Sequence, residues 1–376
     1  MTQVSAPPAT GPDFATYRQT RHFGSLDGLR FFCIAAVVWH HGPVWTALED
    51  PARILTRGFV GVDFFFVLSG YLITTLLLRE AADRGRFSLR GFYWRRALRI
   101  IPVYFLVVTL VAAYYIGVKG ERQYLELLPF YYLFLSNFLT TDIPLLSPTW
   151  SLAVEEQYYL IWPLVLMLLP RRALLPGLVL MIALNVVAVT GALGALGISA
   201  VDLGPLRLEM FNTTYAPILI GSATALILHD PRGFALLARL MGHGAACLGA
   251  FALVLVLLQV LPQDMRGWPN LLLHLAMAAA LAGVVLREDN AARPVLAARP
   301  LARIGEISYG IYLYHLIALH IATVILGQLG LAGQGGLVLG LYAALSVLMA
   351  ELSFRTFERM FLRLKHRSWR ATGAPG

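Results

Sequence analysis

The sequence predicts an all-α fold, a polytopic transmembrane bundle of about ten helices with both termini in the cytoplasm, and three observations predict it. First, 58% of the 376 residues are hydrophobic, only 14% are charged, and the mean hydropathy is +0.68, which no ordinary soluble domain shows. Second, the apolar stretches run about 18 to 24 residues, the length one helix needs to cross a hydrocarbon core, without the period-2 alternation of a barrel strand. Third, 24 of the 30 Lys and Arg fall in alternate connecting segments; only Arg53, Arg57, Lys119, Arg122, Arg207 and Arg266 fall in the others. That asymmetry places the amino terminus inside and accounts for the net charge of +9 without nucleic acid as a partner.

Spans are expected near 28–47, 58–78, 100–118, 150–169, 173–196, 209–228, 234–261, 269–286, 305–327 and 336–356. Residues 1–24 read as a disordered cytoplasmic tail without the apolar core of a signal peptide, 25–358 as one membrane domain, and 359–376 as a basic cytoplasmic tail. The stretch LELLPFYYLFLSNFLTTDIPLLSP, between the third and fourth spans, is apolar but broken by proline, so it reads as re-entrant or interfacial and as part of the wall of a site. Cys33 and Cys247 both lie inside apolar runs, which argues against a disulfide or a zinc centre. No metal is expected. Chemistry is expected mainly in the first half of the chain, where the intramembrane polar residues gather, and scaffold in the second.

The first span, LDGLRFFCIAAVVWHHGPVW, opens with Asp27 and Arg30 and carries His40 and His41. At about 1.5 Å per residue His41 lies roughly 16 Å beyond Arg30, near the middle of the bilayer. An imidazole buried there must be hydrogen-bonded or face water, and it exchanges protons near neutral pH, as a general base does. In GFVGVDFFFVLSGYLITTLLL, Asp63 stands near the outer end as a group able to orient a histidine, while Ser69 and Gly70 read as small-residue helix packing. The loop RGRFSLRGFYWRRALRIIPVYF sets Arg95, Arg96 and Arg99 at a membrane entry, with Pro102 in the first turn of the span that follows. Arg95 and Arg99 share a helical face suited to a phosphate or pyrophosphate, and the same charges equally hold the loop inside.

In SPTWSLAVEEQYYLIWP, Ser151, Glu155 and Tyr159 stack on one face, and Glu156 points about 100° away, so at most one carboxylate is expected to face a given partner. A Glu at that depth calls for an arginine, a histidine or a proton. In ARIGEISYGIYLYHLIALH, Ser308, Ile311, Tyr312 and His315 share a face.

Taken in order, LDGLR with a histidine eleven residues after its arginine, VDFFFVLSGYLIT, RRALRIIPVY, TWSLAVEEQYYLIWP and GEISYGIYLYH resemble the acyltransferase type 3 family of membrane acyltransferases over roughly residues 25 to 320. The resemblance implies transfer of an acyl group, commonly acetyl from acetyl-CoA, to a hydroxyl of a sugar, polysaccharide or glycosylated acceptor. It further implies that His41 is the motif histidine and Arg30 its partner. His40 departs from the family pattern, which has an apolar or aromatic residue there, and both histidines stay open as the base.

On this reading Arg30, Arg95, Arg96 and Arg99 hold the phosphates of acyl-CoA, and His41 is the base with Glu155 or Asp63 fixing its tautomer. Trp150, Glu156, Tyr158, Tyr312 and His315 are the acceptor-side residues. The partners expected are acyl-CoA, a carbohydrate acceptor and the lipid of a bacterial-type inner membrane. The rival reading is a proton-coupled transporter or flippase, in which the same histidines and glutamates relay protons.

Overall fold

The computed structural model describes residues 11–20, 22–45, 48, 52–192, 201–208 and 214–366. In chain order its main helices are α1 (Phe14–Gln19), α2 (Ser25–His41), α3 (Val60–Arg84), α4 (Leu89–Ala112), α5 (Thr149–Leu168), α6 (Arg171–Val189), α7 (Ala216–His229), α8 (Pro231–Met241), α9 (Ala246–Val260), α10 (Trp268–Val285), α11 (Arg299–Glu306), α12 (Ser308–Gln328) and α13 (Gly335–Ser353). The sheet content among the described residues is one small antiparallel hairpin, β1 (Val201–Leu203) and β2 (Leu206–Leu208). The fold is all-α, as the hydropathy pattern predicts.

Among the described residues, six helices are long and apolar enough to cross a membrane: α3, α4 with its continuation to Val118, α6, α10, α12, and α13 with its continuation to Leu362. The stretch expected as one span at 234–261 is instead two helices bent by 75°, α8 and α9, which would make a seventh crossing if taken together. The sequence supplies the reasons. Asp230 caps α8 by accepting from the Arg232 and Gly233 amides at 3.0 and 2.9 Å, and the helix stops at Gly242, just before His243 and Gly244. The first span is also shorter than expected. It ends at His41, because Gly42 leaves helical geometry and Pro43 follows without an amide hydrogen. Of the expected span at 209–228, residues 209–213 lie outside the described residues.

Two further expectations change at the amino-terminal ends. Residues 14–19 form a helix rather than disordered tail: Asp13 caps it through the Thr16 amide at 2.7 Å, a bond that holds the Asp13 carboxyl below its usual range. Tyr17 is buried, with its hydroxyl 3.1 Å from that of Tyr71 on α3, and Arg79 donates to the Tyr17 carbonyl at 2.8 Å. Residues 1–10 and 367–376 of the two expected tails lie outside the described residues. The third span starts earlier than expected, at Leu89, because Ser88 caps it by accepting from the Gly91 amide at 3.0 Å. Pro102 therefore sits inside α4 instead of in its first turn.

Helix α3 is the centre of the bundle. One of its faces (Phe64, Val67, Leu68, Tyr71) joins a core with α2, α7 and α10; the opposite face (Phe66, Ile73, Leu77) joins a second with α4, α5 and α6. Its contact with α7 is close enough to need glycine on both sides. A Cβ on Gly70 would stand 1.9 Å from the Ile218 carbonyl oxygen, and one on Gly221 would stand 2.1 Å from that of Val67. Gly70 is thus a packing residue, as read from its small size.

The aromatic stretch after the third span does not cross the bundle. Short helical turns at 122–132, 136–138 and 144–146 fold it back, and Tyr131, Ile143 and Leu146 bury themselves against Tyr104 and Val107 of α4 and Ile311 and Tyr312 of α12. Tyr131 is its internal tie: the hydroxyl accepts from the Ile143 amide at 3.0 Å, and the carbonyl accepts from Tyr104 at 2.9 Å. The stretch supplies no residue to the wall of the cavity that α2, α3, α4, α5 and α12 enclose, and it reaches the residues there through the Pro148 carbonyl, which accepts from Tyr312 and Ser151.

Candidate active site

Helices α2, α3, α4, α5 and α12 converge on a cavity of about 230 Å³. Arg30 of α2 and Arg96 and Arg99 of α4 line it together with Ser69, Ser151, Glu155, Glu156, Tyr159, Tyr309 and Tyr312. Arg30 is held by Asp27, one turn earlier, at 2.5 Å. The Arg96 guanidinium lies 5.0 Å from the centre of the Tyr159 ring. Arg99 is open to the cavity and makes no hydrogen bond or ion pair among the described residues. Glu358 interacts with it through space without pairing, so the guanidinium keeps its hydrogen-bond donors for an anion.

Arg95 is not part of this group. Its guanidinium pairs with Glu80 of α3 at 2.9 Å, and the other Glu80 oxygen accepts from the Ser88 amide at 3.1 Å, so Arg95 staples the turn between α3 and α4. The expected pairing of Arg95 with Arg99 is therefore replaced by Arg96 with Arg99, one turn apart on the cavity side. The partner waiting at Glu80 decides which face of α4 turns inward.

Glu155 accepts a hydrogen bond from Ser69 at 2.6 Å, which gives Ser69 a role beyond packing. Glu156 lines the same cavity, although the two carboxylates point about 100° apart. Ser69 bonds to Glu155 and not to Glu156, so the two carboxylates line one cavity without sharing a partner among the described residues.

At the far end from the arginines, Tyr312 closes the cavity. Its hydroxyl lies 2.6 Å from Ser151 Oγ and donates to the Pro148 carbonyl at 3.0 Å. Behind it the Tyr312 carbonyl accepts from Nδ1 of His315 at 2.6 Å, and the His315 ring stands edge-on to His41 with centroids 4.8 Å apart. His41 in turn places Nδ1 3.0 Å from the Val37 carbonyl. A carbonyl accepts only from N–H, so this contact puts the neutral imidazole's proton on Nδ1 and leaves the lone pair on Nε2. His41 is not on the cavity wall; Tyr312 and His315 separate it from the arginine chamber. It is the last residue of α2, six residues short of the end of the span expected at 28–47.

The other expected site residues go elsewhere. Asp63 does not orient His41: its carboxylate lies 3.3 Å from Nε2 of His274 on α10, and both groups are buried. Glu155 does not touch His41 either, being committed to Ser69. His40 stacks on Trp45 at 6.0 Å, meets the edge of Phe59, and stands edge-on to His41 with centroids 5.1 Å apart. Trp150 packs edge-on against Phe66. Tyr158 turns from the cavity: it hydrogen-bonds Ser222, stacks on Trp162, and borders a separate apolar groove with Leu178 and Leu219.

A profile of the type 3 acyltransferases, described as an acyltransferase domain, matches residues 23–352. The chain belongs to this family. The match runs through every helix that supplies a cavity residue. The chain is 28% identical over 368 residues, 91% of its length, to the peptidoglycan O-acetyltransferase OatA of Listeria monocytogenes. It is 28% identical over 396 residues, 95% of its length, to the putative peptidoglycan O-acetyltransferase YrhL of Bacillus subtilis. It is 25% identical over 404 residues, 96% of its length, to a putative O-acetyltransferase of Staphylococcus aureus. The chain spans 56%, 60% and 61% of the lengths of these three relatives respectively. No solved structure matches. Among the polar residues that line the cavity, Ser69, Ser151, Tyr159 and Tyr309 are additions to the expected set; the signal for Ser151 and Tyr159 was their place on one helical face with Glu155.

Proposed function

We propose that the chain is a multi-pass inner-membrane O-acyltransferase that moves an acyl group, in the first instance acetyl, from cytoplasmic acyl-CoA to a hydroxyl of a cell-wall glycan or another sugar. The observation that carries this reading is the polarity of the site: arginines at one end of a cavity, and at its other end a tyrosine backed by two histidines. The names of the relatives supply the acetyl group and the glycan. A ten-span topology completes it, in which the bent pair and the less apolar or shorter helices α2, α5 and α7 also cross; α5 fails a hydropathy test because it carries Glu155, Glu156 and Gln157.

The phosphates of acyl-CoA sit among Arg30, Arg96 and Arg99, and the pantetheine arm runs up the cavity. Arg30 and His41 are about 16 Å apart along α2, a distance of the order that an extended pantetheine spans. The thioester then lies at Tyr312 and Ser151, and one of these hydroxyls turns from the Pro148 carbonyl, to which both now donate, to donate to the developing oxyanion. The acceptor comes from the histidine end. Its hydroxyl oxygen bonds to the thioester carbon, Nε2 of His41 takes the hydroxyl proton, the carbon–sulfur bond breaks, and the proton passes to the departing CoA thiolate. Ester and free CoA thiol are the products.

The test uses sealed membrane vesicles and labelled acetyl-CoA, which does not cross a bilayer. Label should enter the glycan fraction of inside-out vesicles and not of right-side-out vesicles. Transfer in neither orientation, with unmodified substrate moving across instead, would favour the transporter.

A further inference from the structure

We infer that His315 is the positioning residue for the catalytic base, and that His41 and His315 form a histidine pair that shares the proton taken from the acceptor. This rests on reading His41 as the base. The sequence offers carboxylates for the orienting role, Asp63 and Glu155, and both are engaged elsewhere, on His274 and Ser69. Among the described residues no carboxylate hydrogen-bonds or ion-pairs with either His41 or His315.

His315 has the properties the role needs. It is fully buried, and its Nδ1 is fixed on the Tyr312 carbonyl, so its Nε2 carries a lone pair. That Nε2 is buried without a hydrogen-bond partner among the described residues, an arrangement that costs stability unless something is gained from it. The neighbouring ring is His41, edge-on at 4.8 Å, with its own Nδ1 fixed on Val37. Both rings thus have Nδ1 tied to helix carbonyls and Nε2 as the basic atom. When His41 accepts the hydroxyl proton its Nε2 becomes a donor, and the buried lone pair of His315, on the ring whose centre is 4.8 Å away, has no hydrogen yet; Nδ1 of His40, on a ring 5.1 Å away, is the other unpartnered nitrogen beside it among the described residues. The pair holds the proton as N–H⁺···N until the thiolate of CoA takes it back, so no proton is lost to the protein.

Tyr312 links this pair to the cavity. Its carbonyl holds His315 and its hydroxyl closes the cavity, so one residue ties the base assembly to the place where the thioester lies.

The experiment compares His315→Leu, which removes the acceptor, with His315→Gln, whose side-chain oxygen reaches the position of Nε2. Acetyl transfer by the full chain is measured as kcat and as KM for acetyl-CoA, alongside the melting temperature. The expected result is a fall in kcat of roughly 10-fold to 100-fold for His315→Leu, the range typical when a group orienting a functional imidazole is lost. KM for acetyl-CoA stays the same, and His315→Gln recovers much of the rate. Equal losses in both variants, or a wild-type kcat in His315→Leu, would overturn the inference. If His41→Ala itself keeps full activity, the reading of His41 as base falls instead, and the two failures are told apart.

Discussion

Replacing His41 by alanine should abolish acyl transfer, with a loss of at least about 100-fold in kcat, while acetyl-CoA still binds. The rate falls because Nε2 of His41, freed as a base by the Nδ1 contact with Val37, is the group placed to take the hydroxyl proton. Binding persists because the arginines are about 16 Å away along α2. His40→Ala should keep substantial activity, since His40 packs on Trp45 and Phe59 and meets only the edge of the His41 ring, with no ring contact to His315. Both rates come from the same labelled-transfer assay with the variants reconstituted in vesicles, and a reversal of the two results would move the base to His40.

The second large effect is on the donor. Arg99→Ala should weaken acetyl-CoA binding by roughly 10-fold to 100-fold, or about 1.5 to 3 kcal/mol, the worth of a hydrogen bond to a charged group. Arg99 makes no hydrogen bond or ion pair among the described residues, and Glu358 acts on it only through space, so its guanidinium can bind a phosphate directly. Arg96→Ala should act in the same direction. Arg95→Ala should leave donor binding unchanged, and because its pair with Glu80 is partly exposed it should cost stability only about 0 to 1 kcal/mol. Equilibrium binding of labelled acetyl-CoA to the purified variants separates these outcomes.

Much of the architecture was legible because hydropathy and charge act along the chain. The Arg30 to His41 spacing, the arginine entry and the buried glutamates all came from local pattern. What failed depended on neighbours far apart in sequence. Asp63 finds His274, Ser69 finds Glu155 and Arg95 finds Glu80, and in each case the helical face was readable but the element opposite was not. Two boundary errors have a different source. Gly42 and Pro43 stop α2, and Gly242 and Gly244 break the span at α8, yet the apolar run continues past both, and hydropathy averages over such signals. The expected division into a chemical first half and a scaffold second half also fails in part, because α12 brings Tyr309, Tyr312 and His315 to the site.

The central claim is that the cavity is a donor channel with a phosphate end and a reacting end. The most direct test is the structure of the membrane-embedded protein bound to a non-hydrolysable thioether analogue of acetyl-CoA. The pyrophosphate should lie among Arg30, Arg96 and Arg99, with the carbonyl carbon next to Tyr312 and Ser151 and the His315 and His41 rings immediately beyond. An analogue held by its phosphates at the surface cleft of Arg303, Arg355, Arg359 and Arg363, or one that enters from the side of His40 and Trp45, would contradict the account.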